Sequence, residues 1–243
     1  MRTTVKTRAL LAGAVLLATA ACGSGSGTGH DKGGNEGSAA SSPAGHGPDG
    51  RPGTGGAPAD RTGKRLEGAV VEGTVAGYKV DKPAARDIPP GGGYEVDREE
   101  CAPLGALIGG HLPGKPTGEV YRTLKPADPK NATIGNLWLS AYGGDGGDRA
   151  VAAVDTAVDA CKGSFRTAGL TYHSVERIGS AESGAAAFRV TGDVGKQRIV
   201  MNYRVVRSGA VVASFYGVNM LHPKDGSIPD AVVDAQLQRL RKG

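Results

Sequence analysis

RIVMNYRVVRSGAVVASFYGVNM, residues 198–220, is the strongest short-range signal in the chain. Two apolar runs, Arg198 to Arg207 and Ala210 to Met220, flank Ser208-Gly209. A glycine at the loop accepts the positive φ that a tight reversal demands, so the stretch reads as a β-hairpin. Ile199, Val200 and Met201 follow one another without polar alternation, as do Val205 and Val206. Strands of this kind lie at the centre of a sheet and are covered on both faces.

Working outward, the preceding segments Leu170 to Ile178 and Ala185 to Thr191 also read as strands. Asp148 is expected to cap a helix in which Val151, Val154, Val158 and Cys161 recur at the spacing of one buried stripe. Lys162 and Gly163 close that helix, which puts Cys161 on the core side. Earlier, Thr133 to Tyr142 supplies Ile134, Leu137, Trp138 and Leu139 to a strand, with another over Gly118 to Leu124. A short helix follows Cys101, carries Leu104, Leu107 and Ile108, and ends at Gly109-Gly110. Val70 to Val80 is extended, and Pro83 to Gly93 is rich in turn formers. After the hairpin, an amphipathic helix runs from about Ile228 to Arg241, with Pro229 in its first turn and Val233, Leu237 and Leu240 on one face. Strands outnumber helices and the later ones are joined by short turns. The order predicts an α+β fold, an antiparallel β-sheet flanked by helices in a single domain over residues 66–243.

The region ahead of this domain has a different composition. Arg2, Lys6 and Arg8 precede an uncharged run from Ala9 to Ala18, too short to span a bilayer and typical of a signal peptide over residues 1–21. Thr19, Ala20 and Ala21 then lead into Cys22, and this resembles the lipobox cut by lipoprotein signal peptidase, although Thr19 stands where that pattern prefers leucine. The resemblance implies acylation of Cys22 and anchorage of the mature chain to the membrane. Cleavage by an ordinary signal peptidase, leaving Cys22 as a free thiol, is the alternative. From Gly23 to Arg65 there is no Val, Ile, Leu, Met, Phe, Tyr or Trp, so the stretch cannot bury enough apolar surface to offset its ordering entropy. Residues 22–65 are expected to form a lipid-anchored, disordered tether with a mean span on the order of 35 Å.

Charge carries little functional information. Three of the 29 basic residues sit in the signal peptide, which brings the remainder close to balance with the 24 acidic ones. There is no basic stripe interleaved with aromatics, so nucleic-acid binding is not expected. With Cys22 acylated, Cys101 and Cys161 remain as a pair in an oxidising compartment, where a disulfide is the expected state. The redox alternative would need a C-x-x-C pair or a thiol of lowered pKa, and neither is visible.

The remaining chemistry-bearing residues do not assemble into a motif. Gly179 to Gly184 only superficially resembles a nucleophile elbow, since its serines are not set between the spaced glycines. His30 and His46 lie in the tether; His111, His173 and His222 stand far apart and read as surface or hydrogen-bonded residues rather than metal ligands. The glycine runs at Gly91 to Gly93 and Gly143 to Gly147 lack phosphate-loop spacing. Asp145 and Asp148 begin but do not complete a calcium loop. No catalytic residue, cofactor site or metal site is expected.

The Cys101 helix, the Trp138 strand, the helix ending in Ala160, Cys161, Lys162 and Gly163, and the late hairpin resemble the extracellular sensor domain of PknH-type receptor kinases. The resemblance spans roughly Cys101 to the C-terminus. It implies an antiparallel sheet with helices on both sides, stapled by disulfides, and a cleft for an unidentified ligand. This chain offers one disulfide pair rather than two and shows no kinase or transmembrane segment. The expected function is an extracytoplasmic, sensor-like lipoprotein domain that binds a small molecule, lipid or wall fragment. The alternative is a structural lipoprotein that docks on another envelope protein. Trp138, Tyr203, Phe215 and Tyr216 are the side chains to look for around any cleft, against the ordinary expectation that strand aromatics are core.

Overall fold

The central hairpin forms, and everything else is arranged around it. A computed structural model describes residues 58–90, 94–179 and 183–242. The expected signal peptide, Cys22 and the expected tether as far as residue 57 lie outside the described residues. The elements run α1 (Pro58–Ala69), β1 (Gly73–Val75), β2 (Tyr78–Asp81), α2 (Ala102–Ile108), β3 (Gly118–Pro126), β4 (Thr133–Ala141), α3 (Gly146–Ala160), β5 (Phe165–Thr167), β6 (Leu170–Arg177), β7 (Ala185–Val194), β8 (Gln197–Ser208), β9 (Val211–Asn219) and α4 (Asp230–Lys242). The strands make one antiparallel sheet in the order β1-β2-β3-β4-β9-β8-β7-β6-β5. Two meanders therefore meet where β4 pairs with β9, in unbroken register from Thr133 opposite Asn219 to Ala141 opposite Val211.

Each face of the sheet has its own core. On the first face, Leu104 and Leu107 of α2 and Val151, Val154 and Val158 of α3 pack with Trp138, Phe188, Tyr203 and Val212. On the second, Leu66 of α1 and Val232 and Val233 of α4 pack with Leu124, Leu137, Leu139 and Phe215. This double cover is why β8 and β9 read as continuous apolar runs: Val212, Ala213, Ser214 and Phe215 are all buried.

Three expectations are corrected in detail. Helix α1 starts at Pro58, inside the stretch assigned to the tether. The helix is stabilised by tertiary packing of Leu66 rather than by any apolar run of its own. Asp148 is not the cap of α3: Asp145 holds that position without a side-chain capping bond. Asp148 instead pairs with Arg207 of β8 at 2.7 Å. The expected extended stretch over 70–80 is a hairpin, turned by Ala76 at φ 47° and Gly77 at φ 79°.

Helix α4 is joined to the end of α1 by Arg239, which donates to the Gly68 carbonyl, and by the amide of Gln236. Gln236 is fully buried. Its Oε1 accepts the Val71 N–H at 3.0 Å and its Nε2 donates to the Ala69 carbonyl at 2.9 Å. An apolar replacement would strand both backbone groups, at roughly 1–3 kcal/mol for each buried group left unpaired.

Candidate ligand cleft

The antiparallel registers set four side chains in a row across the first face: Asn136 faces Tyr216, Tyr216 faces Tyr203, and Tyr203 faces Phe188. Phe188 and Tyr203 stack with centroids 5.2 Å apart, and Tyr203 meets Tyr216 at the same spacing with a 47° tilt. One pleat along, Trp138 stands opposite the small Ser214. The result is an aromatic floor, and over part of it the helical cover stops.

That gap is a cleft of about 390 Å³. Asn136, Trp138, Met201, Tyr203 and Tyr216 form its floor. One wall is the end of α2 at Leu107 to Gly110, and the other is a strap, Arg86 to Pro90, together with Tyr94. A side chamber of about 60 Å³ opens behind Trp138 and Asn136, bounded by Tyr121, Thr123 and Asp87. The cleft's size falls in the range of small-molecule sites, which also combine apolar walls with a few placed polar groups.

The walls are fixed from behind. Cys101 and Cys161 are joined, with Cα atoms 5.0 Å apart, so the start of α2 is tied to the end of α3. Gly110 adopts φ 83°, and a Cβ there would lie 2.4 Å from Pro89 Cγ, so glycine alone lets strap and helix end approach this closely. His111 Nε2 lies 2.8 Å from the Pro90 carbonyl. A carbonyl only accepts, so this nitrogen carries the proton and, in the neutral ring, Nδ1 faces Tyr121 Oη at 3.3 Å as an acceptor. Glu119 completes the support, accepting from Ser140 Oγ at 2.8 Å and standing 3.2 Å from Tyr121 Oη.

Polar satisfaction is incomplete along the floor. Trp138 Nε1 and Ser214 Oγ are buried and have no hydrogen-bond partner among the described residues. Tyr203 Oη reaches only the Met201 sulfur, at 3.9 Å. Burial pushes the Tyr203 phenol well above its ordinary value, with Tyr216 and Tyr172 adding to the effect. Tyr216 is pushed up to about 12, again mainly by burial. Both phenols are therefore neutral hydrogen-bond donors at physiological pH. At the rim, Arg86 Nε and Asp87 Oδ1 pair at 3.7 Å, leaving the mouth without net charge.

Of the aromatics singled out in the sequence, Trp138, Tyr203 and Tyr216 line the cleft, whereas Phe215 points to the other face and packs in the second core. The alternation of β9 separates Phe215 from Tyr216, which the sequence shows once the strand's phase is known. The strap and the α2 end carried no comparable signal. His173 pairs with Asp193 at 2.6 Å on the outer part of the sheet, away from the cleft's lining. No group of three or more His, Cys, Asp or Glu side chains suited to a metal ion occurs among the described residues. No described helix is long and apolar enough to cross a membrane.

No family model matches the sequence, and no curated protein matches it significantly. Among solved structures, the extracellular domain of PknH from Mycobacterium tuberculosis is similar over 74% of this chain and 97% of that one, at 14% identity and a TM-score of 0.42.

Proposed function

We propose that the chain is an exported lipoprotein, cleaved before Cys22 and held at the extracytoplasmic face of the membrane by acyl chains on that residue. Its α+β domain binds a small ligand in the cleft and performs no catalysis. The observation that carries the binding role is the cleft between α2 and the strap, whose floor includes Trp138 with a buried indole N–H that has no partner among the described residues. Buried donors are normally paired, because leaving one unpaired costs about 1–3 kcal/mol. Export is supported by the signal-like first segment and by the Cys101 to Cys161 bridge, since such bridges persist in oxidising compartments.

The chain contains one tryptophan, so its emission reports directly on the cleft. Titrating the purified protein with size-fractionated small molecules extracted from the cell envelope should change Trp138 emission saturably in at least one fraction. The same fraction should raise the thermal midpoint, as any ligand that binds only the folded state must. Tyr216→Ala should abolish the response while the far-ultraviolet circular dichroism stays native. A protein indifferent to every fraction in both emission and midpoint would remove the binding role.

A further inference from the structure

The chemistry of the cleft narrows the ligand, on the premise that the cleft is a binding site. We infer that it takes an uncharged sugar ring carrying an acetamido group, the unit of an N-acetylated hexosamine. Four observations point to it. The rim charges of Arg86 and Asp87 neutralise each other, so nothing at the mouth rewards a net charge on the ligand. The floor is lined by the aromatic side chains Trp138, Tyr203 and Tyr216. A pyranose lays an apolar C–H face on such rings while its rim hydroxyls stay toward polar groups and water. Trp138 Nε1 is a buried donor with no acceptor among the described residues. Asn136, whose amide both donates and accepts, lines the cleft and the side chamber alike.

An acetamido group carries the chemical complement of these groups. Its carbonyl accepts from an indole N–H, its N–H donates to an amide oxygen such as Asn136 Oδ1, and its methyl requires a small space closed to bulk water. The side chamber behind Trp138 and Asn136 is of that scale, about 60 Å³. A fatty acyl chain would leave the Trp138 donor unsatisfied and press an apolar tail against a charged rim. A charged ligand of either sign would find no net counter-charge at the mouth, where Arg86 and Asp87 pair.

The test uses the full-length protein with β-1,4-linked N-acetylglucosamine oligomers, the N-acetylglucosamine monomer, glucose oligomers of equal length, and a flat aromatic ketone. The N-acetylated sugars should shift Trp138 emission saturably and bind at least about tenfold more tightly than the glucose oligomers, one hydrogen bond's worth of discrimination. Asn136→Ala should erase that preference. Tighter binding of the oligomer than of the monomer assigns the ligand to a glycan chain, and equal binding assigns it to a free amino sugar. Equal affinity for glucose oligomers would overturn acetamido recognition. Binding of the aromatic ketone alone would overturn the sugar class and leave the cleft's binding role standing, whereas silence from all four probes together with all envelope fractions would remove both.

Discussion

Cys101→Ala/Cys161→Ala, or reduction of the bridge, should lower the stability of the domain by about 4 kcal/mol, the chain-entropy value for a loop of this length. The bridge spans 60 residues and closes α2, β3, β4 and α3 into one loop, so the unfolded chain regains a large ensemble when it is cut. Both cysteines are fully buried, and the two alanines add a small packing loss in the same direction. The effect is local as well as global, since the bridge ties the start of α2 to α3 and α2 forms a wall of the cleft. A fall in the denaturant midpoint at unchanged slope, together with loss of ligand-linked emission change at Trp138, is the expected pair of results. A midpoint unmoved by reduction would show that the first core holds α2 without help.

Alkali should unfold the protein over a narrow range above pH 10. Tyr121, Tyr142, Tyr172, Tyr203 and Tyr216 all have phenols raised above the ordinary value, each chiefly by burial. A phenol is neutral when protonated, so a folded-state pKa above the unfolded one contributes stability that is intact below pH 10 and is lost as the pH rises. For Tyr216 the window runs from 10 to about 12. Each such group removes about 1.4 kcal/mol per pH unit within its window. Several acting together cost on the order of 5 kcal/mol by pH 11, comparable to the whole stability of an ordinary domain. Tyrosinate absorbance should therefore rise in the same cooperative step as the loss of circular dichroism. A gradual titration of the phenols in a protein that stays folded would contradict the burial described for them.

Much of the architecture is legible in the amino-acid sequence because its signals are long. The run through β8 and β9 and the valine stripe of α3 each repeat a period several times, and a repeated period survives local exceptions. The parts that were not legible are short or borrowed. β5 has three residues, Phe165 to Thr167, too few to show alternation, and its turn to β6 uses Ala168 at φ 52° where Asn, Asp or Gly would have announced it. The same substitution at Ala76 hides the β1–β2 hairpin. Helix α1 has Leu66 as its one large apolar side chain, and Gln236, far away in the chain, helps to hold its end. The floor of the cleft could be suspected from Trp138, Tyr203 and Tyr216, but not its walls. Those depend on Gly110 meeting Pro89 and His111 meeting Pro90, contacts without periodicity.

Location governs both the bridge and the ligand, because a cytosolic chain would keep its thiols reduced and would never meet an envelope ligand. Intact mass of the protein extracted from native membranes, measured with and without reductant, tests it most directly. The predicted result is a chain beginning at Cys22, heavier than its polypeptide by attached acyl groups, that gains about 2 Da on reduction as Cys101 and Cys161 recover their protons. An unprocessed chain bearing Met1, or a lipid-free soluble product with three reactive thiols, would contradict it.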